Sequence, residues 1–126
     1  MNDNQDLRAK IARALGWKAV SYNDYSEVNV FAPWETLPGW ARVGVEHDIA
    51  DYLEEVPDWP NDIAAAYALE GEIPEDERIE YANRLYAIID NDEHYTYGLR
   101  WGLAHATAEQ RCLAWIAWHE WKESQR

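Results

Sequence analysis

Leu7, Ile11, Ala14 and Leu15 recur at the spacing of one helix face, Asn2 or Asn4 can cap the run, and Gly16 stops it, which predicts a helix over about 4–15. From Trp17 to Trp40 the pattern changes. "AVSYNDYSEVNVFAPW" mixes β-branched and aromatic residues around an Asn-Asp turn signal at 23 and 24, predicting a short hairpin or two edge strands. "LPGWARVGV" then reads as a turn followed by a further strand.

Pro57 and Pro60 forbid a helix running through from the residues before them. Asn61 or Asp62 can cap a helix that carries Ile63, Ala66 and Tyr67 and ends at Gly71. Pro74 starts the next helix, with Glu75, Asp76 and Glu77 in its first turn, where negative charge suits the helix dipole. Its expected apolar stripe is Ile79, Ala82, Leu85, Tyr86 and Ile89. Its polar face is Asp76, Glu77, Glu80, Asn83 and Arg84, with Glu80 and Arg84 placed to pair. "DNDEHYTYG" breaks that helix, and "TYGLRWGL" reads as a strand or an extended loop. Thr107 and Gln110 form a capping box at the start of the last helix. These elements predict an α+β fold, mainly helical with about four helices, and a small antiparallel sheet from the 20–45 region packed against them. The length fits a single domain over 1–126.

The last helix carries Trp115, Trp118 and Trp121. Projected at ~100° per residue, Trp118 and Trp121 fall beside Ala114 and Ala117, a surface suited to packing, while Cys112, Leu113 and Ile116 extend the apolar character well beyond an ordinary ~100° stripe. Such a helix is either sandwiched between layers or half-buried in a partner. Trp115 falls between Arg111 and Lys122 on one side and His119 on the other. That position predicts either an exposed aromatic anchor or a ring lying across a neighbouring element with Arg111 covering its face.

Charge sharpens the picture. The net charge is -13, yet Glu46 to Glu93 alone holds 16 acidic residues against Arg78 and Arg84, a net of -14. A nucleic-acid backbone or an anionic membrane is disfavoured along that block, and a basic partner is the natural complement. Duplex DNA carries one charge per ~1.7 Å, so an eight-residue helical stretch of ~12 Å matches about seven phosphates. Asp76, Glu77 and Glu80 give three carboxylates on such a face, and Asp51, Glu54, Glu55 and Asp58 extend the field if they fold alongside. The alternative is a solvated face that favours solubility.

Other chemistry finds little support. Cys112 is the only cysteine, which excludes an intrachain disulfide, favours a reducing compartment and places a small hydrophobe on an apolar helix side. Glu46-His47-Asp48 offers three metal-ligand types, but consecutive side chains on a helix point ~100° apart and do not converge. "DNDEH" at 90–94 begins like a calcium loop, but Tyr95 stands where the turn needs glycine. No nucleophile elbow, phosphate-binding loop or zinc-protease motif occurs. The sequence therefore predicts no enzyme, no cofactor and no metal. The polar N-terminus lacks the apolar core of a signal peptide, and no apolar run reaches the ~18 residues of a membrane span, so a soluble cytoplasmic protein is expected.

"LGWKAV", "PDWPNDIAAAYALEG" and "HATAEQRCLAWIAW" together resemble the phage ABA sandwich domain family of small phage and prophage proteins. The matching residues are Gly16-Trp17, Asp62 to Tyr67 and Ala106 to Ala114. The acidic helix at about 74–90 stands where the family usually has strands, and the C-terminal tryptophans replace its usual alanine and leucine. The resemblance implies a phage gene acting in the bacterial cytoplasm and carries over no catalytic residue.

The leading expectation is a non-enzymatic phage-encoded inhibitor of a host antiviral defence. It would dock an acidic surface, formed from Asp51, Glu54, Glu55, Asp58, Asp76, Glu77 and Glu80 with Trp115 and His119, on a basic nucleic-acid-binding host protein without touching nucleic acid or membrane. One alternative is a sponge for a signalling nucleotide, using Arg42, Arg100, Arg111 and Trp115. Another is an accessory phage protein that forms a homodimer through its C-terminal helix.

Overall fold

A computed structural model describes residues 3–90 and 106–125, which form an α+β fold. The chain divides into two compact units, Met1–Pro57 and Asp58–Arg126.

The first unit opens with helix α1, Asp3–Leu15. Gly16 ends it at φ 97°, a left-handed conformation that glycine adopts without steric cost, and its N–H bonds back to the carbonyls of Ala12 and Arg13. The buried residues are Leu7, Ala9, Ile11 and Ala12. The expected Ala14 and Leu15 are only half-buried, so the core face is rotated toward the alanines.

Three short strands follow, β1 (Lys18–Ser21), β2 (Asn29–Phe31) and β3 (Val45–His47). They form an antiparallel sheet in the order β2-β1-β3. Ala19 lies opposite both Val30 and His47, so alternation sets Ala19, Val30 and His47 on one face and Lys18, Val20 and Phe31 on the other. The segment expected to be a turn before β3 is a one-turn helix, α2 (Gly39–Val43), whose Trp40 makes T-shaped ring contacts with Tyr22 and Phe31. Gly44 lets the chain pass close to β1, because a Cβ there would sit 2.5 Å from the Ser21 carbonyl oxygen.

A 3₁₀ helix, Ile49–Glu55, completes this unit. Asp48 caps it by accepting from the Ala50 N–H, and its carboxyl is held below the usual range first by the Arg13 guanidinium and then by that amide. Arg8 on α1 donates to the carbonyls of Val56 and Pro57, tying the helix to the end of the 3₁₀ segment.

The second unit contains α3 (Ile63–Glu70), a 3₁₀ turn (Glu75–Glu77), α4 (Arg78–Asp90) and α5 (Ala108–Ser124). Asp62 caps α3 by accepting from Ala64 and Ala65. Thr107 and Gln110 close the capping box of α5 reciprocally, at 3.1 and 2.9 Å.

α5 packs against both α3 and α4, which accounts for its wide apolar circumference: two neighbours cover two sides of one helix. The expected stripe on α4 needs correction. Ile79 is 77% exposed and Tyr86 40%, while Tyr81, Leu85 and Ile89 are buried at i, i+4 and i+8. A single packed neighbour selects this narrow line and leaves the flanking apolar positions outside it. "TYGLRWGL" and the 91–94 part of "DNDEH" lie outside the described residues.

Candidate docking surface

The acidic middle of the chain is far less uniform in space than in sequence, because bases from the flanks return to it. Arg13 pairs with Asp48 at 2.7 Å and Lys18 with Glu46 at 3.1 Å in the first unit. In the second unit Arg111 pairs with Glu70 at 2.9 Å, Lys122 with Glu77 at 3.6 Å, and Arg84 with Glu80 at 3.0 Å as the helix spacing predicts.

Glu77 is a structural residue. Its carboxylate accepts from the Trp118 indole N–H at 3.2 Å, and Lys122 also lies over the Trp118 ring. Glu80 is half-buried in its pair with Arg84. Of the three carboxylates expected to form one acidic helix face, Asp76 and Glu77 lie on the 3₁₀ turn and Glu80 on α4, and Asp76 alone is both exposed and without an ion pair among the described residues. Asp58 is half-buried and accepts from the Asn61 side chain. Asp51, Glu54 and Glu55 belong to the first unit, and Asp58, Asp76, Glu77 and Glu80 to the second.

Trp115 is the main correction. It is 2% exposed, stacked on His119 with ring centroids 5.3 Å apart, and tilted against Trp118 at 5.7 Å. It is a core residue and presents no face to a partner or a base. Ordinary helix projection misplaces it because a second packing neighbour buries a side that a surface helix would leave in water. Trp118 is buried as expected, and Trp121 is only half-buried. His119 keeps part of its surface exposed, with its Nε2 3.7 Å from Glu123.

Of the arginines of the nucleotide-binding alternative, Arg42 and Arg111 belong to different units. Arg111 is buried, donating to Glu70 and to the Ala106 carbonyl with its guanidinium 4.7 Å from the Tyr67 ring centre. Arg42 is exposed on α2 in the other unit, and Arg100 lies outside the described residues. Cys112 is fully buried, and burial foremost, with the carboxylates of Asp58, Glu109 and Glu70, pushes its thiol up to about 12. It is therefore a neutral hydrophobe at ordinary pH.

Glu46, His47 and Asp48 lie on and just after a strand, not on a helix, and each has its own work. Glu46 meets Lys18, Asp48 caps the 3₁₀ helix, and His47 Nε2 lies 2.8 Å from Ser21 Oγ. The single hydroxyl proton of Ser21 goes to the Asn23 carbonyl, so His47 Nε2 is the donor to Ser21. Ser21 is fully buried, which makes this pair a support for the turn after β1 rather than a nucleophile and its base.

What the first unit does assemble is a groove of about 510 Å³ between β2 and the 3₁₀ helix. Half-buried Val28, Val30 and Tyr52 line it with the exposed carboxylates of Glu27, Glu54 and Glu55. Asp51 is exposed on the same 3₁₀ helix. None of these four carboxylates makes an ion pair among the described residues, in contrast to Glu46 and Asp48 nearby in sequence. Glu27 lies outside the acidic block of the sequence, although "EVNV" carries a signal for it: an acid followed by alternating apolar positions beside a turn.

Among the described residues no helix is long and apolar enough to cross a membrane. Comparison of the chain with protein-family models, curated proteins and solved structures finds no match.

Proposed function

We propose that this chain is a non-enzymatic binding protein that docks an acidic surface on a basic, nucleic-acid-binding protein. The observation that carries this reading is the set of uncommitted carboxylates in the first unit, with Glu27, Glu54 and Glu55 around one groove and Asp51 exposed on the same 3₁₀ helix. The protein's own bases neutralise several acids of the 46–93 block and leave these four open to a partner's lysines and arginines. Complementary charge speeds association and makes it sensitive to salt, while the apolar lining contributes contact area.

The resemblance to small phage proteins supplies the setting of the proposal: a phage-encoded inhibitor of a host antiviral defence, acting in the bacterial cytoplasm. An acidic surface that occupies a host protein's basic face would block nucleic acid from it by competition.

The test is capture from bacterial lysate at ~0.05 M salt and elution at ~0.5 M, where the screening length has shrunk to a few ångströms. Each eluted protein is then assayed for nucleic-acid binding with and without the purified chain. A basic protein that loses nucleic acid to the wild type, but not to a variant with Asp51, Glu54 and Glu55 changed to lysine, supports the reading. Inhibition that survives the charge reversal overturns it.

A further inference from the structure

β2 is an edge strand. Among the described residues only β1 pairs with it, and its other side carries backbone groups with no strand beside them. Open edges invite a further strand, and natural proteins usually cover or charge them. This one runs beside the groove, with Val28, Asn29 and Val30 all on its lining.

We propose that the outer edge of β2 and the adjoining groove take an extended, basic segment of a partner protein, which adds to the sheet as a fourth strand. The inference rests on the binding role proposed above and specifies how the partner is held. Three features point to the same occupant. The strand edge supplies main-chain donors and acceptors for an extended chain, the binding mode in which backbone bonds hold the segment and alternate side chains select it. The lining offers Val28, Val30 and Tyr52 to the aliphatic stem of a lysine or arginine, and the carboxylates of Glu27, Glu54 and Glu55 meet its cationic head. Residues two apart in a strand lie ~7 Å apart on one face, so every second residue of the segment faces the groove.

Charge decides against the other occupants. A second copy of this chain adding along the same edge would bring Glu27, Glu54 and Glu55 toward their own counterparts, and like charges opposed across a strand pair are unfavourable. An acidic or neutral segment would cover three carboxylates and give them no partner.

The test uses a synthetic nine-residue peptide of alternating lysine and threonine, capped at both ends, with the full-length protein. Binding is followed by fluorescence anisotropy at ~0.05 M salt and by amide NMR shifts. The same peptide with every backbone amide methylated keeps the charge and loses the donors that strand addition requires. An alternating glutamate and threonine peptide reverses the charge.

The expected result is binding by the lysine peptide alone, with the largest shifts at Val28 to Phe31, Tyr52, Glu54 and Glu55. Binding should weaken about tenfold or more when Glu27, Glu54 and Glu55 are changed to glutamine. The peptide comparison is made on the wild-type protein, so it stands even if that variant folds poorly. Equal binding by the methylated peptide, or shifts confined to other residues, overturns strand addition while leaving a purely electrostatic acidic surface intact. Absence of binding by the lysine peptide overturns the inference, and joined to failure of the lysate competition it removes the acidic-docking reading as well. Self-association of the chain through β2, seen as concentration-dependent shifts of Val28 to Phe31 without peptide, makes the occupant a second copy and also overturns it.

Discussion

Replacing Trp115 with alanine removes a ring that the fold encloses almost completely. The side chain is 2% exposed and lies against His119 and Trp118. A tryptophan buries roughly 150–250 Å², which at ~25 cal/mol per Å² corresponds to about 4–6 kcal/mol of transfer free energy for the whole side chain. Alanine keeps a fraction of that and leaves a cavity, so the expected loss is about 3–5 kcal/mol.

Trp115→Phe separates packing from polarity. The indole N–H of Trp115 is buried without a hydrogen-bond partner among the described residues, so its removal strands no acceptor. The phenyl ring retains much of the stack, and the expected loss is below about 2 kcal/mol. Urea unfolding should be followed by far-UV circular dichroism, because eight tryptophans make the fluorescence signal hard to assign. A loss under about 1 kcal/mol for Trp115→Ala, at an unchanged denaturant slope, would refute the placement of Trp115 in the core and restore it as a surface anchor.

Arg111→Met leaves the Glu70 carboxylate without its guanidinium and should cost about 2–4 kcal/mol; adding Glu70→Met should recover a large part of that loss, and simple additivity in urea unfolding would contradict a coupled pair. Cys112 should resist aromatic disulfide reagents in the native protein and react in urea. The Cys112 and Tyr81 groups are both raised chiefly by burial, so the folded chain holds their protons more tightly than the unfolded chain. Stability should therefore fall as pH rises from about 9 toward about 12, by up to ~1.4 kcal/mol per pH unit for each group, and Cys112→Ala should flatten the slope. Gly44→Ala should destabilise the first unit by about 2 kcal/mol or more, since the new Cβ meets Ser21 backbone oxygen; retained stability and unchanged β1 and β3 amide shifts would contradict that close approach.

Local signals in the chain were legible wherever one turn of backbone decides the outcome. Gly16 ends α1, Asp62 caps α3, the Thr107 and Gln110 box opens α5, and Glu80 reaches Arg84 within one helix. Each depends on atoms fewer than five residues apart, so residue type and spacing suffice to determine it. The α+β class and the small antiparallel sheet followed from the same periodicities. Only the tertiary structure decided which apolar residues are core and which acids are free. Trp115 is buried because α5 has neighbours on two sides, and Ile79 and Tyr86 are exposed because α4 packs along a narrower line. Glu70 and Glu77 are neutralised by Arg111 and Lys122, more than forty positions away in the chain, while Glu27 joins Glu54 and Glu55 only when β2 folds beside the 3₁₀ helix. Burial and charge pairing act through space over a few ångströms, and sequence separation carries almost no information about which side chains will meet at that distance.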